Sequence, residues 1–402
     1  MRPLVPIFII ERFKKNEKRG SFCSTTLFVD ISGFTPLTEQ LMQHGTEGAE
    51  ILSSILDEIF EPLVKLVYAQ DGIIPHFAGD AFTAIFEGNK TNIVANIALE
   101  MKLKFDEKPF IHTKFGRFKI NVRIGLSYGL VEWGILGNDL KTFYFKGTSV
   151  ERATLAQTQA QPQQIVIDKW FKEIFNAQNF DLQCINDSFS ILNINLNITP
   201  LSIECSKPYI PLENKLESVH QLTPSDLAYF IPPHIIEQNI KGEFREVVAI
   251  FISFANAHEY ADLEAILSIV LKEFESYGGY FKEIDFSEKN GVMVGFFGAP
   301  KSFENNAVRA LECALAIQYE LNLLQNKKPY LFRFGLASGM AFAGIVGGKE
   351  RSQYAVVGDH VNLAARLMQN AAWGEILVNK NMLNVRAFEF REKGNVTYKG
   401  MT

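Results

Sequence analysis

The spacing of apolar and polar residues divides the chain into a unit that occurs twice. Residues 24–30 (STTLFVD) are β-branched and apolar, as in a strand, and the apolar positions Leu41, Ile51, Leu52, Ile55, Ile59 and Leu63, following Pro36, predict helices. Residues 72–77 and 81–86 predict a strand, a Gly79-Asp80 turn and a returning strand. A helix over 92–105, a strand over 118–126 and a helix over 149–159 complete the unit. The order then returns as strand 247–254, helix 263–277, strands 280–284 and 292–297, helix 306–324, strand 331–336 and helix 361–369. The offset is about 210 residues, so Arg123 answers Arg333 and Gly147 answers Gly358. Two copies of an α+β unit in βαββαβ order, each with a mostly antiparallel sheet, are expected. Pro208, Pro211, Pro224, Pro232 and Pro233 mark 206–245 as a connector, leaving a first domain at 1–205 and a second at 246–402.

Composition narrows the function classes. The 402 residues are 47% hydrophobic, enough for each domain to bury a core. Forty Lys and Arg against 45 Asp and Glu leave a net charge of -5, which offers no basic field for nucleic acid or anionic lipid. The apolar run 4–10 is too short to span a bilayer, is followed by Glu11, Arg12 and two lysines, and lacks a small-residue cleavage site. A cytoplasmic chain without a membrane anchor is expected. Cys23, Cys184, Cys205 and Cys313 are far apart and read as reduced, structural thiols. The chain stops just after Lys399-Gly400 without a closing strand, so the second domain reads as truncated, with room for a C-terminal regulatory region outside this chain.

Three stretches carry candidate chemistry. In Phe28-Val29-Asp30-Ile31-Ser32-Gly33-Phe34-Thr35 a strand ends on an acid and turns through glycine into a helix, which aims N–H groups at one point and suits a phosphate, with an acid beside it for a hard cation. Taken alone, Asp30 reads as a helix or turn cap. Phe77-Ala78-Gly79-Asp80-Ala81-Phe82 places Asp80 at a hairpin, where acids are common for structural reasons. If the hairpin lies beside the first strand, the two carboxylates meet and repel unless a cation bridges them. Two such acids can hold a pair of Mg²⁺ ions about 3.5–4 Å apart for in-line displacement at phosphorus. In Val357-Gly358-Asp359-His360-Val361-Asn362-Leu363-Ala364-Ala365-Arg366, Asn362 and Arg366 share one helical face; such a pair is usually a solvated face, though an arginine there also suits a phosphate.

In this order the three stretches closely resemble the class III adenylyl and guanylyl cyclases, over nearly the whole chain. FVDISGFT, FAGD, GIVG and VNLAAR, with the paired domains, are most similar to the soluble, bicarbonate-responsive adenylyl cyclase branch and its bacterial relatives. The resemblance implies two ferredoxin-like domains forming a pseudo-symmetric intramolecular heterodimer, and hence a monomer. It implies two divalent cations (Mg²⁺ or Mn²⁺, with Ca²⁺ admissible at one site) on Asp30, Asp80 and the Ile31 carbonyl. Asn362 and Arg366 fall on the transition-state pair. Arg123 and Lys399 fall on triphosphate-binding positions and Lys282 on the base-selecting lysine; Ser32, Gly33, Phe34, Thr35 and Val357 fall on further substrate-binding positions. Ala355 stands where adenylyl cyclases usually place an Asp or Thr that helps hold the adenine amino group. Guanylyl cyclases would show Glu at the Lys282 position and Cys at the Ala355 position, so ATP is the expected substrate.

The repeat supplies its own check. Ser253 stands where Asp30 stands in the first copy, and the Asp80 equivalent falls at Asn290 or Gly291. Conversely, Glu151 replaces Asn362 and Leu155 replaces Arg366. Only one composite site can be complete, converting ATP to 3′,5′-cyclic AMP and pyrophosphate. The rivals are a nucleotide-binding regulatory module that has lost catalysis and a guanylyl cyclase. At the degenerate pocket the branch's anion-binding lysine and arginine are replaced by His76 and Thr154, which predicts indifference to bicarbonate unless Lys146 or Arg152 substitutes.

Overall fold

A computed structural model describes residues 3–178, 180–194, 223–237, 242–286, 290–324, 330–383, 385 and 387–394. The first half runs α1 (Ile7–Lys14), β1 (Arg19–Ser32), α2 (Phe34–Met42), α3 (Gly45–Ala69), β2 (Phe77–Ala78), β3 (Ala81–Glu87), α4 (Thr91–Glu107), β4 (Phe110–Thr113), β5 (Gly116–Lys119), β6 (Asn121–Leu136), β7 (Thr142–Lys146), α5 (Thr148–Gln159), β8 (Gln164–Asp168), α6 (Lys169–Ile174), β9 (Phe180–Asn186) and β10 (Phe189–Ile194). Helices α7 (Pro224–Ala228) and α8 (Pro233–Glu237) follow. The second half runs β11 (Glu243–Ala255), α9 (Tyr260–Ser276), β12 (Tyr280–Asp285), β13 (Gly291–Phe297), α10 (Asn306–Leu324), β14 (Leu331–Gly347), β15 (Ser352–Val357), α11 (Asp359–Asn370) and β16 (Ile376–Val378).

One sheet has the order β2-β3-β1-β6-β8-β10-β9, with β7 also on β6; the other has β12-β13-β11-β14-β15, with β16 also on β14. Most pairings are antiparallel, with β6–β8 and β14–β16 parallel. The helices lie where their apolar stripes require: α3 buries Leu52, Ile55, Leu56, Phe60, Leu63, Val64 and Val67, and α9 buries Leu263, Ile266, Leu267, Val270, Leu271 and Phe274. The repeat is exact in register at the central pair. Asp30 opposes Arg123 between β1 and β6, and Ser253 opposes Arg333 between β11 and β14.

The halves exchange core residues. Leu136 and Tyr144 of the first pack in the core of the second, and Val346 and Ala355, their counterparts about 210 residues on, pack in the core of the first. Such reciprocity is what a pseudo-twofold interface requires.

Two expected strands differ. The strand over 72–77 is cut to Phe77–Ala78, because Pro75 has no N–H for a ladder and the carbonyls of Ile74 and Pro75 accept instead from Arg351. The strand over 118–126 is divided, since the Ile120 N–H donates to Pro109 O; β5 ends at Lys119 and β6 begins at Asn121. In addition β11 already starts at Glu243, and α7 packs against the first half through Leu227, beside Val5, Ile9 and Trp133.

Candidate active site

The acid pair is built by strand register. Asp30 opposes Ala81, and the Ile31 N–H donates to the Asp80 carbonyl at 3.1 Å, so both acids lie at one edge of the β1–β3 ladder. Gly79 takes φ +67 at the first position of the two-residue turn, as a tight hairpin demands, and Asp80 occupies the second. Burial, then the nearby Asp30 charge, pushes the Asp80 carboxyl up to about 7, against its own backbone N–H bond and the Arg123 cation. After Asp30 the chain turns through Gly33 at φ +109, where a Cβ would lie 2.3 Å from the Lys119 carbonyl oxygen, and α2 starts at Phe34.

Asp30 already has cationic company. Arg123 Nε donates to Asp30 Oδ2 at 3.0 Å, Arg123 Nη2 donates to the same oxygen, and so does Gln157 Nε2 at 3.0 Å. Two neighbouring carboxylates, one of them pushed up toward neutrality by burial and by the other's charge, form a hard-oxygen pair that a divalent cation would relieve, so the residues fit the metal that the sequence implies.

A cleft of about 180 Å³ runs between the two halves. Phe34, Thr35, Thr38 and Asp80 line it from the first half; Phe251, Lys282, Glu283, Phe296, Val357, Asp359 and Asn362 line it from the second. Of the residues named from sequence, Phe34, Thr35, Asp80, Lys282, Val357 and Asn362 therefore meet in one cleft. Asp30, Ile31, Ser32, Gly33, Arg123, Ala355 and Arg366 are not in its lining. Ile31 is buried, Ala355 is 1% exposed in the core contributed to the first half, and the partly exposed Arg366 lies one turn of α11 beyond Asn362. Lys399 lies outside the described residues.

Lys282 Nζ donates to the Phe77 carbonyl at 2.7 Å and to Glu283 Oε1 at 2.9 Å. Gln353 bridges the halves as well, accepting from the Phe77 N–H at 2.8 Å and donating to Glu283 Oε2 at 3.2 Å. Beneath them Arg351, 1% exposed, donates to the carbonyls of Leu4 (2.8 Å), Ile74 (3.1 Å), Pro75 (2.6 Å) and Ser352. Burial pushes its guanidinium down to about 10. Sequence reading missed Arg351, Glu283 and Gln353. An adjacent Lys-Glu in the middle of β12 was a signal, because regular alternation would have buried one of them in the core.

The pseudo-equivalent cleft, about 190 Å³, is lined by Glu132, Lys146, Glu151, His258, Phe286 and Asn290 among others. Lys146 donates to the His258 carbonyl at 2.7 Å and pairs with Glu132 at 3.3 Å; Arg152 sits over the Trp170 ring; Thr154 bonds the Val150 carbonyl. His76 stacks on Phe143 beside Glu283, and burial, with the Arg351 and Lys282 cations, pushes it down to about 3, so it is neutral at pH 7.

Two pseudo-equivalent α+β units that face each other, with an acid-bearing hairpin from one and an Asn-Arg helix from the other at a shared cleft, define a cyclase-type domain pair. The chain matches the adenylate and guanylate cyclase catalytic domain family over residues 17–191 and 291–402, and it belongs to that family. It is 27% identical to human adenylate cyclase type 10 over 94% of its own length and 26% of that protein, and 27% identical to the mouse counterpart over 86% and 24%. The chain thus spans about a quarter of these relatives' length. A class III adenylyl cyclase-like ATP-binding protein from Pseudomonas aeruginosa shares the fold, with a TM-score of 0.58 over 90% of this chain and 85% of that one at 13% identity. No helix among the described residues is long and apolar enough to cross a membrane.

Proposed function

We propose that the chain converts ATP to 3′,5′-cyclic AMP and pyrophosphate at one composite site between its two halves. The observation that carries this reading is the shared cleft, which has Thr35 and Asp80 on one wall and Lys282 and Asn362 on the other. Likeness to adenylate cyclase type 10 over nearly all of this chain favours ATP over GTP. Asp30, Asp80 and the Ile31 carbonyl would hold two Mg²⁺ or Mn²⁺ ions, which supply Lewis acidity at the ribose 3′-hydroxyl and counter-charge for the triphosphate.

The chain's own groups do the rest. The α2 N-terminus, opened by Gly33, presents N–H groups to phosphate. Asn362 positions the ribose, and Arg366 swings in to meet charge developing at the α-phosphoryl oxygens. Arg123, which lies against Asp30, would neutralise the departing pyrophosphate, a task shared with Lys399. Apolar walls at Phe34, Phe251 and Phe296 exclude water from the base. The test is product analysis with ATP or GTP in Mg²⁺ or Mn²⁺: cyclic AMP is expected, while cyclic GMP as the main product, or nucleotide binding without product, would favour the rival readings.

A further inference from the structure

We propose that Glu283 reads the base, accepting a hydrogen bond from the 6-amino group of adenine beside Lys282. The inference rests on ATP being the ligand of the cleft. Its first support is backbone geometry. In β12, Phe281 opposes Gly295 and Glu283 opposes Val294, leaving Lys282 as the extra residue of a bulge. Neighbours in a regular strand point to opposite faces, whereas a bulge re-aims a side chain, and here Lys282 and Glu283 both line the cleft.

The second support is chemistry. Both side chains are only 5% exposed and pair at 2.9 Å. Such a buried pair adds little stability over apolar residues of the same shape, so a task toward the ligand is the better account of its place in a cleft wall. Together they offer one donor and one acceptor, which matches the ring nitrogen and the amino group along the adenine edge. Guanine carries a carbonyl oxygen in place of that amino group and would set it against the carboxylate. Ala355 has no polar side chain and is buried in the other core, so the amino group needs a partner elsewhere. The carboxylates of Asp80 and Asp359 lie at the hairpin and at the start of α11; of the two acids on the strand that carries Lys282, Glu283 lines the cleft and Asp285 is not in its lining. Gln353 Nε2 holds the Glu283 Oε2 at 3.2 Å and fixes its direction.

The test is calorimetric binding of non-cyclising 3′-deoxy-ATP and of the same triphosphate lacking the 6-amino group, to the full chain with Mg²⁺. Wild type should prefer 3′-deoxy-ATP by at least about tenfold, and Glu283→Ala should bring the two within about threefold. Equal binding of the two by wild type would overturn the proposal, whether or not the variant folds. So would a variant that weakens both equally and keeps the preference, since that is what a purely structural carboxylate would do. A clear preference in a protein that makes no cyclic AMP would sink the cyclisation reading and leave Glu283 its role; no binding of either would sink both.

Discussion

At the residue scale the site depends on charges that are costly to hold together without a ligand. Asp80, pushed up to about 7, binds its proton more firmly in the folded chain than in the unfolded one. In metal-free protein its contribution to stability is therefore full below about pH 4 and is lost as pH rises through about 7. Asp80→Asn should flatten that part of the pH dependence of the melting temperature, and an unchanged slope would place the proton elsewhere. Metal affinity should move oppositely, falling about tenfold per pH unit below about 7 as the proton competes for the carboxylate; calorimetry with Mn²⁺ from pH 5.5 to 8 measures it. Arg366→Ala should lower kcat about 100-fold and leave KM within a few-fold, as expected of a contact made mainly in the transition state. A pure rise in KM would assign Arg366 to ground-state binding instead.

At the element scale, the strands, the hairpin and α11 hold the machinery, and a buried arginine ties the segments leading into α1 and β2 to the start of β15. Arg351→Ala strands the carbonyls of Leu4, Ile74 and Pro75, and should cost about 3–5 kcal/mol in denaturant unfolding; a loss below about 1 kcal/mol would mean that water replaces the guanidinium. The pieces readable in the sequence are those the local backbone dictates. The Asp30-to-Phe34 turn needs Gly33, the Gly79-Asp80 hairpin needs a positive φ, and the helix after Gly358 shows its period. What stayed hidden depends on partners far along the chain. The reach of Lys282 to the Phe77 carbonyl, the turn of Arg123 onto Asp30 and the Arg351 carbonyl network join residues about 90 to 350 positions apart, and no local pattern announces them. The second cleft belongs to this scale too: Lys146 is already engaged there, and neither His76 nor Thr154, the residues expected at the anion site, is in its lining, so bicarbonate at fixed pH and ionic strength should change cyclic-AMP output by less than about twofold. A saturable several-fold rise that is lost in Lys146→Ala would show that the lysine exchanges partners.

At the scale of the whole molecule, the repeat explains why one chain carries two domains and, on this account, a single site. Each half donates core residues to the other, so the pair is built as one interface, and divergence at Ser253, Gly291 (which the strand register places at the Asp80 position), Glu151 and Leu155 leaves complementary remnants on opposite sides of it. The most direct measurement is cyclic-AMP production from ATP by wild type, Asp80→Ala and Arg366→Ala at equal concentration, with circular dichroism to show each is folded. Product is expected from wild type and about 1% of that rate or less from either variant, although the two residues belong to different domains. Substantial cyclic AMP from either folded variant would contradict a single site shared between the halves.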